Sequence, residues 1–169
     1  MKNINISSLN KMFLKSSHEF IQTHDNVQMY SNGCMIALNH DTNTFVPEKN
    51  IVLKSESDSK PDLISLVKLL CQNMEKYHYS AALDSAKITH FSISKTKKNT
   101  DKITRTKAIL LANNFNHVVI QELYYKCFSA DCEFLICNEK TNYVFVFANS
   151  TLIGIICPMY EDNNNYYEF

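Results

Sequence analysis

Apolar positions along the chain change their period several times, and each change marks an expected element. Lys2–Ile6 alternates apolar and polar residues, which predicts a short strand. A helix is expected from there through Ser17. Ser7 or Ser8 caps it, with Leu9, Met12 and Phe13 forming an apolar stripe and Lys11 and Lys15 on another face. Val27–Ser31 and Cys34–Asn39 read as a hairpin around Ser31-Asn32-Gly33. His40–Asn50 is polar and contains Pro47, so it reads as loop or edge strand, and Ile51–Lys54 as a further strand. Ser55–Lys60 is a polar linker, the strongest break in the chain.

Leu63, Leu66, Val67 and Leu70 then recur with helical spacing and predict a helix over Pro61–Tyr77. Pro61 suits the first helical position, and Asp62 complements the positive end of the helix dipole. Lys87–Ser94 alternates as a strand, Lys95–Thr104 reads as a charged hairpin loop, and Arg105–Ala112 as the returning strand. Asn116 is expected to cap a third helix over Asn116–Ser129, with Val119, Ile120, Leu123 and Cys127 on one face. Three closing strands follow, Glu133–Asn138, Tyr143–Ala148 and Leu152–Met159, with Asn138–Asn142 and Asn149-Ser150 as turns.

Strand, helix and strand meander thus occur in order from Lys2 to about Lys54. They occur again from about Lys87 or Arg105 to Met159. The expected class is α+β with mostly antiparallel sheets, in a single domain over 1–159. Its halves, about 1–60 and 87–159, are joined through the helix at 61–77, and 160–169 forms a flexible acidic tail. Tyr166, Tyr167 and Phe169 among Glu161, Asp162 and Glu168 give that tail a second reading, a short peptide that orders on docking.

Composition narrows the chemistry. A chain of 169 residues, 45% hydrophobic, can bury one sizeable core without metal or disulfide staples. There are 17 basic and 17 acidic residues, so a wholly basic nucleic-acid binder is excluded while a locally basic surface is not. Only Gly33 and Gly154 are glycines. No phosphate-cradling loop or nucleophile elbow can be written with them, because both need several glycines where backbone approaches closely or turns sharply. The N-terminal stretch lacks the apolar run of a signal peptide, and no stretch approaches the roughly 18 apolar residues of a membrane span. The expectation is a cytoplasmic, soluble protein with six reduced, mostly buried cysteines and no membrane partner.

The C-terminal third carries a resemblance. It opens with Phe115-Asn116-His117-Val118-Val119-Ile120-Gln121-Glu122-Leu123. Two apolar runs follow, Cys132–Cys137 and Tyr143–Phe147, and the stretch closes with Ile155-Ile156-Cys157-Pro158-Met159. Together these resemble the closing half-domain of bacterial DNA sliding clamps. There a Phe-Asn-x-x-Tyr-Leu helix start leads into three strands, the last ending in a Met-Pro-Met-like sequence. Val119-Ile120 stand here in place of Tyr-Leu, and the Asn32-Gly33 turn is loosely similar to the Asp-Gly-His turn of clamp domains. The resemblance covers about 45 residues, and clamp chains carry three such domains where this chain has room for one. It implies two strand-helix-meander halves, helices facing DNA and sheets outside; a homo-oligomer is a separate expectation for the assembly.

One segment carries a directional functional argument. Lys95–Lys107 holds Lys95, Lys97, Lys98, Lys102, Arg105 and Lys107 against one acid, Asp101. It reads as a phosphate-contacting loop, as a solvated hairpin tip, or as the docking site of an acidic protein. No aromatic residue interleaves the charges, so base stacking is not indicated. Lys11 and Lys15 of the first helix, with Lys68 and Lys76 of the second, would add to one positive face if those helices share a surface. Cys127, Cys132 and Cys137 are too widely spaced for zinc, and no histidine pair has metal-ligand spacing. Cys34–His40 and Cys71–His78 are conceivable dyads without supporting context. The expected function is a non-enzymatic binding protein with no cofactor, a clamp-like factor contacting DNA or replication machinery, of phage or mobile-element origin. The alternative is a phage-type inhibitor that binds a host nucleic-acid enzyme such as a restriction or CRISPR effector.

Overall fold

A computed structural model describes residues 3–15, 20–41, 62–83, 89–96, 103–159 and 166–168. The fold mixes helix with mostly antiparallel strands. The helices are α1 (Ile6–Lys15), α2 (Leu63–Lys76) and α3 (Glu122–Tyr125). The strands are β1 (Phe20–His24), β2 (Val27–Ser31), β3 (Met35–Asn39), β4 (Tyr79–Ala81), β5 (Thr89–Thr96), β6 (Ile103–Ala112), β7 (His117–Gln121), β8 (Glu133–Cys137), β9 (Val144–Ala148), β10 (Thr151–Ile156) and β11 (Tyr166–Glu168).

A seven-stranded sheet runs in the order β1-β2-β3-β10-β9-β8-β4, and a four-stranded sheet in the order β11-β5-β6-β7. The meanders β1-β2-β3 and β8-β9-β10 therefore lie on either side of a β3–β10 seam. A helix, α1 or α3, precedes each, and the two helices touch.

The larger sheet is covered on both faces, and strand alternation assigns each side chain to one of them. Met35 and Ala37 of β3, Val144 and Val146 of β9 and Phe134 and Ile136 of β8 point into a core shared with Leu9 and Met12 of α1. Tyr124 of α3, Ile109 and Leu111 of β6 and Val118 and Ile120 of β7 complete it. Ile36, Leu38, Phe145 and Ile155 point the other way and meet Leu63 and Leu70 of α2. Two-sided burial explains why β9 and β10 read as nearly continuous apolar runs.

Several expected elements are corrected. Among the described residues of the expected first strand, Asn3–Ile6, no strand forms: Ile4 makes a single bridge to Phe128, and the helix already begins at Ile6. The capping side chain is Asn5, whose Oδ1 accepts from the Ser8 N–H at 3.1 Å, in place of Ser7 or Ser8. Asp62 is the N-cap of α2 itself, accepting from Ile64 N, while Gln22 of β1 accepts from Leu63 N at 2.9 Å and donates to Asp62. That exchange fixes the start of α2 against the sheet. β1 is an addition to the expected elements; it turns into β2 through Asp25-Asn26.

The largest correction concerns Asn116–Ser129. His117–Gln121 is a strand paired with β6, and helix follows only over Glu122–Tyr125. Val118-Val119-Ile120 is a β-branched run, stiff at χ1, and β6 offers it a hydrogen-bonding edge. Asn116 caps nothing; its Nδ2 donates to Cys137 O at 3.0 Å. The expectations for Pro47 and Ile51–Lys54 lie outside the described residues. Tyr166–Glu168, expected within a flexible tail, pair with β5 as β11.

Candidate nucleic-acid interface

The basic segment falls on the β5–β6 hairpin, and the two ends of the expected loop, Lys95-Thr96 and Ile103-Thr104, are strand. Thr89↔Leu110 through Thr96↔Ile103 are paired in unbroken register, so Lys95 belongs to β5 opposite Thr104, and Arg105 and Lys107 belong to β6. β7 reaches only Ala108–Ala112 of β6, so Ile103–Lys107 extends past it. Burial changes sharply at that point. Ala108 and Ile109 are 1% and 0% exposed, whereas Arg105 and Lys107 are exposed.

Arg105 and Lys107, two positions apart, share a face of the ribbon. The register puts Lys95 opposite Thr104, out of step with that pair. Lys97, Lys98 and Lys102 lie outside the described residues.

The helix cations are not brought together. Lys11 is exposed on α1, and Lys15 ends that helix. Lys68 and Lys76 are exposed on α2, which packs on the opposite face of the large sheet. The sheet lies between them, so the expected common positive face of α1 and α2 does not form. Lys76 instead stands 5.4 Å from the Tyr77 ring, with Lys140 on the same ring at 3.8 Å. Both cations hold the Tyr77 hydroxyl below its usual range, Lys140 most strongly.

Two polar clusters have no counterpart in the sequence reading. Asn113, just past the end of β6, donates to Ser80 Oγ at 2.9 Å and to Asn138 Oδ1 at 2.8 Å, while its own Oδ1 accepts from Phe115 N and Asn116 N. Ser80 Oγ also donates to Asn138 Oδ1 at 2.6 Å. These bonds tie the two sheets together at β4 and fix the turn that presents Phe115, 72% exposed.

The second cluster lies at the seam. Asn32 Nδ2 donates to the Tyr124 hydroxyl at 3.1 Å, and Cys157 N donates to Cys34 O at 2.8 Å. Burial pushes the Tyr124 hydroxyl up to about 12, against the bond from Asn32 and aided by the neighbouring Cys34. Burial likewise lifts Cys157 to about 11, with Cys34 adding to it. No local signal announces this cluster, because Cys34 and Cys157 meet only through β3–β10 pairing.

A cleft of about 350 Å³ opens beside the seam, lined by His117, Thr141, Asn142, Tyr143, Cys157 and Met159 among others, and no Asp, Glu, Lys or Arg lines it. Burial favours the protonated form of Cys157 in this wall. The conceivable dyads find other partners: His40 Nε2 lies 2.9 Å from Leu152 O, and His78 Nε2 lies 3.9 Å from Glu139. Among the described residues no three His, Cys, Asp or Glu side chains are grouped to hold a metal, and no helix is long and apolar enough to cross a membrane. No protein-family model, curated protein or solved structure matches this chain.

Proposed function

We propose that the chain is a non-catalytic binding protein, a clamp-like factor that holds DNA through its basic β5–β6 hairpin. One observation carries this reading. The hairpin is continuously paired from Thr89 to Thr96, and β6 buries Ala108, Ile109 and Leu111 while it leaves Arg105 and Lys107 exposed. At Ser92–Ser94 the hairpin carries β11 on its other edge, so this part of the sheet is three strands wide, and cations along it suit phosphate contact at any sequence. The formal charge of the whole chain is zero, so attraction has to come from this local density. The order of helix then meander on both sides of the β3–β10 seam supports the clamp-like part of the proposal.

The test compares wild type with two variants, Arg105→Thr/Lys107→Thr and Lys97→Ala/Lys98→Ala/Lys102→Ala, on duplexes of unrelated sequence at several salt concentrations. Affinity is expected to fall alike for every duplex. The slope of log K against log[salt] should shrink by about 0.9 for each phosphate that the variant no longer neutralises. Thermal stability should change little, since exposed substitutions away from special features stay within about 0.5 kcal/mol. If a copurifying acidic protein dissociates instead, mainly through slower association at low salt, the hairpin serves a protein partner and the DNA reading is wrong. Unchanged affinity for both would leave it a solvated ribbon.

A further inference from the structure

We propose that Cys34 and Cys157 are a redox pair, two opposed thiols that a peroxide closes into a disulfide across the β3–β10 seam. The register carries the argument. Met35 pairs with Ile156, and the Cys157 N–H to Cys34 O bond of 2.8 Å continues the ladder by one residue, setting Cys34 directly opposite Cys157. Hydrogen-bonded antiparallel partners have Cα atoms about 5.5 Å apart, within the roughly 4.4–6.8 Å typical of disulfides, and closure draws the two strand ends together until the Cβ atoms reach about 3.5–4.5 Å. Both thiols also act on the ionisation of one group, the Tyr124 hydroxyl, and Cys34 acts on Cys157 itself. They therefore share a side of the seam.

Exposure divides the two roles. Cys34 is exposed, in the bend after Gly33, and is the thiol that a peroxide reaches first. Its thiolate attacks one peroxide oxygen: the S–O bond forms, the O–O bond breaks, and the second oxygen leaves as water after taking a proton. Cys157, half-buried behind it, then attacks the sulfur of that sulfenic acid. The S–S bond forms, the S–O bond breaks, and the oxygen leaves as a second water with the Cys157 proton. Two electrons pass from the thiols to the peroxide, and a thiol reductant reverses the change. Burial disfavours the Cys157 thiolate, which slows the second step.

The other thiols are placed differently. Cys127, Cys132 and Cys137 are buried, and Cys71 is half-buried on α2, across the sheet. The bond would join the last strand of one meander to the last strand of the other. Closing so long a loop restricts the unfolded chain and raises stability.

The test treats the folded full chain with hydrogen peroxide near equimolar, blocks remaining thiols with an alkylating agent under denaturing conditions, and maps the peptides. The expected result is one crosslinked pair of peptides containing Cys34 and Cys157, lighter by the two thiol hydrogens and restored by dithiothreitol, with a higher denaturant midpoint. In Cys157→Ser, Cys34 should instead accumulate as a sulfenic acid trapped by dimedone. In Cys34→Ser, Cys157 should remain alkylatable after the same exposure. Full alkylation of both residues in treated wild type, or a bond from Cys34 to any other cysteine, would overturn the proposal. The outcome is independent of whether the hairpin binds DNA.

Discussion

A methyl group at position 154 has nowhere to go. A Cβ there would stand 2.2 Å from Phe128 Cζ and 2.4 Å from Cε1, with Ile36 O at 3.3 Å. The Phe128 ring cannot withdraw cheaply. It is buried, meets Phe134 edge-on at 6.3 Å, and Phe134 is in turn stacked on Tyr125 at 4.9 Å. The β9–β10 register also shifts between Leu152 and Gly154, so the strand bends where the ring enters. Gly154→Ala should therefore lower stability by about 1–3 kcal/mol, the usual cost of overpacking. Urea unfolding measures it, and a Phe128→Leu background should recover part of the loss. An unchanged midpoint would mean that the ring is not held as described. Leu123 teaches the reverse lesson. Its spacing predicts a core-facing position on a long helix, but it is only half-buried, so its truncation costs less than that of a fully buried leucine.

Hairpin turns decide much at the level of elements. Asp25-Asn26 and Asn149-Ser150 each join two strands through two residues at positive φ, with 46° and 64° at the first turn and 48° and 63° at the second. Such turns match the twist of the strands but favour Asn, Asp or Gly, and a serine there adopts the left-handed region at a cost. Ser150→Gly removes that cost at a position exposed to solvent. It should raise the unfolding free energy by about 0.5–1 kcal/mol, read as a later denaturant midpoint with an unchanged m-value. A destabilised variant would show that Ser150 contributes more than its backbone conformation. The same turn chemistry explains why β1 is inconspicuous in the sequence: Asp25-Asn26 lacks the glycine that makes a hairpin stand out. At β7 a helical spacing of Val119, Ile120 and Leu123 competes with a β-branched run, and the neighbouring β6 decides for strand.

At the scale of the molecule, covering one sheet on both faces buries several weakly acidic groups in neutral form. Burial lifts Cys127 from 9.0 to about 12, Cys157 from 9.0 to about 11 and Tyr124 from 10.0 to about 12. In the unfolded chain these groups lose protons first, so between their unfolded and folded values the unfolded state binds fewer protons. Stability is then fully present below about pH 9 and falls as pH rises through the folded values. Unfolding followed from pH 8 to 12 should show a progressive decrease that begins near 9. Cys127→Ala should make it shallower. A flat profile over that range would contradict the burial of these groups.

Local signals determined α2, because Leu63, Leu66, Val67 and Leu70 recur on one face and Asp62 stands before them. They also determined the β2–β3 hairpin, with Gly33 at φ +85° in its turn, and the closing meander with its Asn149-Ser150 turn. The segment Lys95–Lys107 was legible as a basic hairpin, although its strands run further toward the tip than its charges suggested. These features depend on residues a few positions apart, which is the range over which period and turn chemistry act. Other features were left to the tertiary structure: strand or helix at His117–Gln121, the opposite placing of α1 and α2, and the parting of Lys11 from Lys68 by a sheet. The meeting of Cys34 with Cys157 belongs with them. Each depends on which distant strand supplies hydrogen bonds and which sheet face receives an apolar stripe. An alternating strand states that it has two faces; only its neighbours in the folded chain settle what each face meets.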